Sequence, residues 1–161
     1  MLVLVTYGSK MGGTEGIARM IGDTLAAEGI DVEVIPADER PDVSHFDAVV
    51  VGGGLYADRW QKEARKFIKK NFKELSRKPV WFFSSGPLDD SAEQEEIPET
   101  EPVHKLMEMV GARGHETFGG ALPADADWFP ASAMAKENSG DWRDEDHIRD
   151  WARKLAVELR S

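Results

Sequence analysis

The chain has 161 residues, 41% hydrophobic and 31% charged, no cysteine, and a formal charge of −10 at pH 7. That length suits one domain with a full core, residues 1–161, and the lack of cysteine excludes a disulfide frame, a thiol nucleophile and an iron–sulfur cluster. The acidity argues against nucleic acid and anionic membranes and suits a basic face on a partner; with no signal peptide and no apolar run near the roughly 20 residues that cross a bilayer, a cytoplasmic protein is expected.

Residues 2–6 are an unbroken apolar, β-branched run, which predicts a strand buried on both faces. Residues 14–28 predict a helix with Ile17, Ala18, Ile21 and Leu25 on one stripe and Gly29 at its stop. A second strand covers 32–35 and closes at Pro36; a third covers 46–51 and runs into Gly52-Gly53-Gly54. The link 36–45 is just short of the dozen or so residues that a parallel crossover needs, so a helix is missing there or compressed into a turn. Residues 60–75 predict a second helix with Ala64, Phe67, Ile68, Phe72 and Leu75 inward, and 80–83 a fourth buried strand followed by Ser84-Ser85-Gly86-Pro87. Residues 89–101 hold seven acidic and no basic side chains, the composition of a solvated loop. A third helix is expected over 102–110, capped by Thr100 or Glu101, and a fifth strand over 115–122, loosened by Gly119-Gly120. After a long connection, 124–140, a last helix from about 145 to 159 buries Ile148, Trp151, Ala152, Leu155 and Leu159. Alternating strands and helices make this an α/β chain, a single doubly wound domain with a five-stranded parallel sheet and helices on both faces.

Sheets of this kind bind ligands beyond the carboxyl ends of their strands, which directs attention to the loops after the first, third and fourth strands. In the first, Ser9, Lys10, Met11, Gly12, Gly13 and Thr14 precede a helix. Small residues let backbone amides turn inward on an anion, Ser9 and Thr14 add hydroxyls, and the helix N-terminus adds the positive end of its dipole. That is a phosphate cradle, though neither a Walker loop nor a G-x-G-x-x-G; a Gly-rich turn without ligand is the plainer alternative. The four histidines, His45, His104, His115 and His147, have no metal-ligand spacing, and no Ser-His-Asp order has supporting context, so neither a metal nor a hydrolytic centre is expected.

The segment Ser9-Lys10-Met11-Gly12-Gly13-Thr14-Glu15, directly after the first strand, resembles the phosphate loop of flavodoxins, Ser/Thr-x-Thr-Gly-x-Thr. It departs at Met11, where the family has threonine, and at Lys10, where such sites lack a cation. The resemblance covers nearly the whole chain and implies strand order 2-1-3-4-5, FMN as cofactor, and a redox partner protein or small-molecule electron acceptor. It implies that Gly53, Gly54, Leu55 and Tyr56 border the flavin, with Tyr56 stacking on the ring and Trp60 in reserve. A carbonyl of that loop would approach flavin N5, and the three glycines suit a peptide that flips there. It further implies that Ser84, Ser85, Gly86 and Pro87 edge the ring, the two hydroxyls and the Gly86 amide donating to its pyrimidine oxygens. Trp128 or Phe129 would cover the open side.

Residues 46–52 and 140–144 look like the flavodoxin-domain proteins related to flavodoxin-type protoporphyrinogen oxidase, which pass electrons to a membrane quinone by way of a basic late loop. Here Asp125, Asp127 and Glu137 face only Lys136 over residues 123–140, which argues against an anionic membrane and a carboxylated tetrapyrrole. The readings are an FMN electron carrier or small oxidoreductase, a protoporphyrinogen oxidase-like dehydrogenase, and a flavodoxin-fold module that has lost its cofactor. A receiver domain is excluded, because Thr6-Tyr7 and Gly52 stand where its acidic residues belong.

Overall fold

The computed structural model describes residues 1–9, 13–86, 97–122, 140–141 and 143–161. Lys10, Met11, Gly12, Pro87, Trp128, Phe129 and the larger part of the acidic run lie outside the described residues. Five parallel strands, β1 (Leu2–Gly8), β2 (Asp31–Pro36), β3 (Ala48–Tyr56), β5 (Val80–Ser85) and β6 (Gly114–Phe118), form the sheet in the order β2-β1-β3-β5-β6. Counted among themselves these are 2-1-3-4-5, the order expected. The short β4 (Arg59–Trp60) folds back antiparallel on the end of β3. Gly119-Gly120 divides the predicted fifth strand: β6 ends before it, and β7 (Ala121–Leu122) pairs instead with β8 (Gly140–Asp141) in a separate two-stranded ribbon.

Helices cover both faces. On one, α1 (Gly13–Ala27) and α4 (Glu145–Arg160) bury Ile17, Ile21, Leu25, Ile148 and Leu155 against Val3, Val5, Val50 and Phe83. On the other, α2 (Lys62–Leu75) and α3 (Glu101–Val110) bury Phe67, Ile68, Leu75, Val103 and Leu106 against Leu4, Val49, Val51 and Phe82. The split follows from period two along each strand: odd residues of β1 face α1 and α4, even ones face α2 and α3. Phe72 departs from its expected inward place. It is 38% exposed, because at 100° per residue it falls at the edge of the α2 stripe.

The short crossover from β2 to β3 is resolved by compression. Two 3₁₀ turns, Ala37–Glu39 and Val43–His45, replace a helix and bury Ala37, Val43 and Phe46 in the α2 side of the core. Asp42 caps the second by accepting from the Ser44 amide, and the Lys78 ammonium, reaching back from beyond α2, donates to the carbonyls of Val43 and Phe46. These bonds satisfy backbone groups that a regular helix would have paired internally.

Two buried hydroxyls, those of Thr6 and Thr117, have no such compensation among the described residues. Thr6 lies between Ile35 and Val51 in the sheet, fully buried, and its Oγ1 has no hydrogen-bond partner among the described residues. Thr6→Val keeps the shape and removes the orphaned hydroxyl, so it should stabilise the fold by about 1 kcal/mol, read as a higher urea midpoint with an unchanged m-value.

Candidate functional site

The carboxyl ends of β1, β3 and β5 are built from small residues in register: Gly8 sits beside Gly53, Gly53 beside Ser84, and Gly54 beside Ser85. Ser85 points to the α1 side, where its Oγ lies 3.0 Å from Thr14 Oγ1 in the first turn of α1. Next to them, a Cβ on Gly54 would stand 3.1 Å from Thr14 Oγ1 and 3.2 Å from the Tyr56 ring. Four predicted site residues, Thr14, Gly54, Tyr56 and Ser85, therefore meet at one helix N-terminus, with Gly13 opening the helix and Ser9 just past β1. The first-turn amides of α1 have no acceptor within their own helix, so this side-chain-poor corner presents donors and a positive dipole end together.

Other predicted residues are placed differently. Gly52, Gly53 and Gly54 do not form a loop free to flip: they belong to β3, all three paired with β5 and the first two also with β1. Their lack of side chains serves packing, because a Cβ on Gly52 would enter the Phe83 ring and one on Gly53 the Trp60 ring. The left-handed backbone lies just beyond, at Ala57 (φ 52°) and Asp58 (φ 65°), the two-residue turn joining β3 to β4. That hairpin is tied down by the Gln61 amide, which donates to the Gly54 carbonyl at 2.8 Å, and by Thr100 Oγ1, which donates to the Asp58 carbonyl at 2.6 Å. The Gly86 amide donates to the Phe118 carbonyl, and the glycine lies against Leu55, so that amide is not directed at a ring edge.

Ser84 alternates to the face opposite Ser85, away from α1. Its buried Oγ accepts from Trp60 Nε1 at 2.9 Å and lies 2.8 Å from His115 Nε2. Trp60 is a packing anchor, buried against Gly53 and Phe82, rather than a reserve stacking ring. The His115 side chain is only 2% exposed, with Nδ1 3.9 Å from Glu99. Burial holds its pKa down to about 4, against the attraction of Glu99 and Glu116, so the imidazole is neutral and suited to accept the Ser84 hydroxyl proton. Glu99 is itself held below the usual carboxylate range by its own backbone amide and by His104. Ser84, His115 and Glu99 stand in the order of a hydrolytic triad. The serine oxygen is nevertheless buried and already engaged by an indole N–H, which makes the array a strut between β5, β6 and the hairpin. Among the described residues no group of three or more His, Asp or Glu could hold a metal.

Two further side chains bear on the corner. Tyr7 Oη donates to Glu15 at 2.8 Å, and its pKa is pushed up to about 12 by burial and then by that carboxylate, so the phenol stays neutral. Arg143, to which the sequence gave no role, reaches from the start of α4 to lie 3.5 Å from the Gly13 carbonyl, over the spot that a Gly16 side chain would fill. A glycine inside a helix costs about 1 kcal/mol relative to alanine, and that anomaly was the signal that something approaches the first turn.

Comparison with known proteins agrees with this fold. Residues 4–138 match the Flavodoxin domain family, and the chain belongs to it. The chain is 28% identical over 129 residues to a bifunctional cytochrome P450/NADPH–P450 reductase of Bacillus cereus, covering 77% of this chain and 12% of that protein. It is 27% identical over 86 residues to the protoporphyrinogen IX dehydrogenase [quinone] of Escherichia coli K12, covering 52% of this chain and 48% of that one. The chain thus spans half or less of these relatives. Among solved structures, a flavodoxin from the domain Archaea superposes over the whole of both chains with a TM-score of 0.67 at 17% identity, a likeness of fold. Flavodoxins and their homologues bind FMN. Among the described residues no helix is long and apolar enough to cross a membrane.

Two expectations follow from the site's framework. Ala57→Gly should stabilise the protein by about 1 kcal/mol, since alanine is strained at a left-handed φ; the urea midpoint is the measurement. The unfolded chain takes up a proton at His115 below its ordinary pKa of 6.5, whereas the native chain resists until about 4, so stability falls as the pH drops through that window. Between pH 7 and pH 4.5 wild type should lose about 2.5 kcal/mol that His115→Gln does not, measured by denaturant titration at the two pH values.

Proposed function

We propose that the chain holds FMN with its phosphate at the first turn of α1 and its ring along the ends of β3 and β5, and acts in the cytoplasm as an electron carrier or small FMN-dependent oxidoreductase. The observation that carries this reading is the meeting of Thr14, Gly54, Tyr56 and Ser85 at a helix N-terminus on the carboxyl edge of the sheet, in a chain of the flavodoxin domain family. The residues fit the group. Ser9, Gly13 and Thr14, with Lys10, Met11 and Gly12, would hold the phosphate through amides and hydroxyls, the usual chemistry of a helix N-terminus. Gly53, Gly54, Leu55, Tyr56, Ser85, Gly86 and Pro87 would border the ring, with the Tyr56 aromatic face available for stacking. Arg143 would add positive charge on the flank of the same turn. Bound FMN would supply one- and two-electron redox chemistry; the protein's part is to bind and orient it, exclude water, and pass electrons to a partner protein or small acceptor.

The match to protoporphyrinogen IX dehydrogenase supports a second reading, in which a tetrapyrrole is the electron donor. The acidic composition of residues 123–140 opposes it. A module that has kept the fold without the cofactor is the third reading.

Titration of the purified protein with FMN should quench flavin fluorescence and perturb the visible spectrum at micromolar concentrations. Thr14→Val should weaken uptake about tenfold or more by removing one bond to a charged group. Absence of uptake by wild type would overturn the reading in favour of the cofactor-free module. Stopped-flow oxidation of protoporphyrinogen with a quinone acceptor separates the dehydrogenase from the carrier.

A further inference from the structure

We propose that the outer face of α2, with the cleft beside it, docks an acidic redox partner protein. The redox part of this inference rests on the FMN reading above; the charge preference of the surface does not.

Charge is strongly segregated in this chain. Residues 62–78 carry eight of its 20 Lys and Arg but only two of its 30 Asp and Glu, so one helix and its exit hold a surplus of six positive charges on a protein of net charge −10. Lys62, Lys66, Lys69, Lys70 and Lys73 are all exposed. Lys66 lies 3.9 Å from Glu63, while Lys69, Lys70 and Lys73 form no ion pair among the described residues, although acidic side chains outnumber basic ones. Among the described residues, Lys69, Lys70 and Lys73 are therefore left without a neutralising carboxylate.

The shape beside them is concave. Between α2 and the first 3₁₀ turn lies a cleft of about 380 Å³, whose charged lining is four cations, Arg40, Lys66, Lys69 and Lys70, against one carboxylate, Glu63. Arg40 sits there in a left-handed conformation, φ 52° and ψ 57°. That backbone costs an arginine about 1 kcal/mol or more and a glycine almost nothing, yet the position carries a cation at the rim. Phe72, 38% exposed, stands among the lysines as an aromatic contact of the kind that anchors protein interfaces. The position of the face is also suitable: α2 begins directly after Gln61, whose amide is bonded to Gly54, so its basic surface starts beside the candidate cofactor corner.

A protein partner fits better than a bilayer. The apolar stripe of α2 is spent on the core through Ala64, Phe67, Ile68 and Leu75, leaving no hydrophobic face to insert, and the acidic remainder of the chain would be repelled by anionic lipid. Net charge alone suggested a basic partner. The local field beside the site calls for the opposite sign, because charges more than a Debye length of about 8–10 Å from the contact are largely screened.

The test uses a dye-labelled decaglutamate peptide as the probe, read by fluorescence anisotropy at low salt, with and without FMN. Wild type should bind it saturably, and salt should abolish binding. The triple variant Lys66→Glu, Lys69→Glu, Lys70→Glu should bind at least tenfold more weakly, and the milder Lys→Gln triple should fall between, with unchanged circular dichroism. No binding by wild type, or equal binding by the variants, overturns the surface. Stronger association with phosphatidylserine vesicles, or a low-salt dimer that the triple variant abolishes, assigns the face elsewhere and also overturns it. FMN uptake is read separately by flavin fluorescence, so failure of the cofactor reading is distinguishable from failure of the surface. In dithionite-reduced, FMN-loaded protein, each two-electron-reduced flavin gives one electron to each of two ferricyanide ions and its protons to solvent. That rate should fall as salt rises in wild type and rise with salt in the Glu triple. A wild-type rate that rises with salt overturns the assignment to an acidic redox partner.

Discussion

The structure turns on what β3 lacks. At Gly52 and Gly53 the central strand has no side chains, and an aromatic ring occupies the space on each face: Phe83 across Gly52, Trp60 across Gly53. Each ring belongs to a different core, Phe83 to the α1 and α4 side and Trp60 to the α2 and α3 side. The two halves of the interior are thus pressed onto the same two peptide units. A methyl group at either position would have to displace a ring inside close-packed surroundings, where even small volume changes are felt.

From Trp60 the constraint passes to polar groups. Its indole N–H fixes Ser84, Ser84 meets the neutral His115, and His115 approaches Glu99. Buried networks of this sort are worth having only when every member is satisfied, and here each hydrogen bond depends on the ring staying over Gly53. The same packing sets the β3–β4 hairpin, and with it the direction in which Tyr56 leaves the strand. Ser85, one residue along, is released to the opposite face and joins Thr14. Period two thus separates a structural serine from one at the candidate site, although the two are adjacent in sequence.

The order of elements and the two-sided covering of the sheet were legible in hydrophobic period and turn chemistry. Where the reading failed, one signal had two physical meanings. Three consecutive glycines mark either a mobile loop or a close approach of side chains from elsewhere, and only the partner rings decide between them. Ser84 and Ser85 were read together as ring donors, although the alternation already visible from Phe82 and Phe83 would have parted them. The crossover at 36–45 was correctly seen as too short for an ordinary helix, but its closure by the Lys78 ammonium depends on a contact more than 30 residues away in sequence. Local charge is legible in the acidic stretch 89–101, but the equally local basic run of α2 is masked by the helix periodicity that dominates residues 60–75.

The pairing of α1 with α4 has a consequence in time. Arg149 and Arg160 reach from α4 to Thr24 on α1 and Glu28 just past its end, and Ile17, Ile21 and Leu25 share a core with Ile148, Ala152 and Leu155. Helix α1 is thus roofed by α4, the last of these elements in chain order. Until α4 has been made, the apolar stripe of α1 has no lasting cover, so the corner at its N-terminus takes its final shape only after residues 145–160 have emerged.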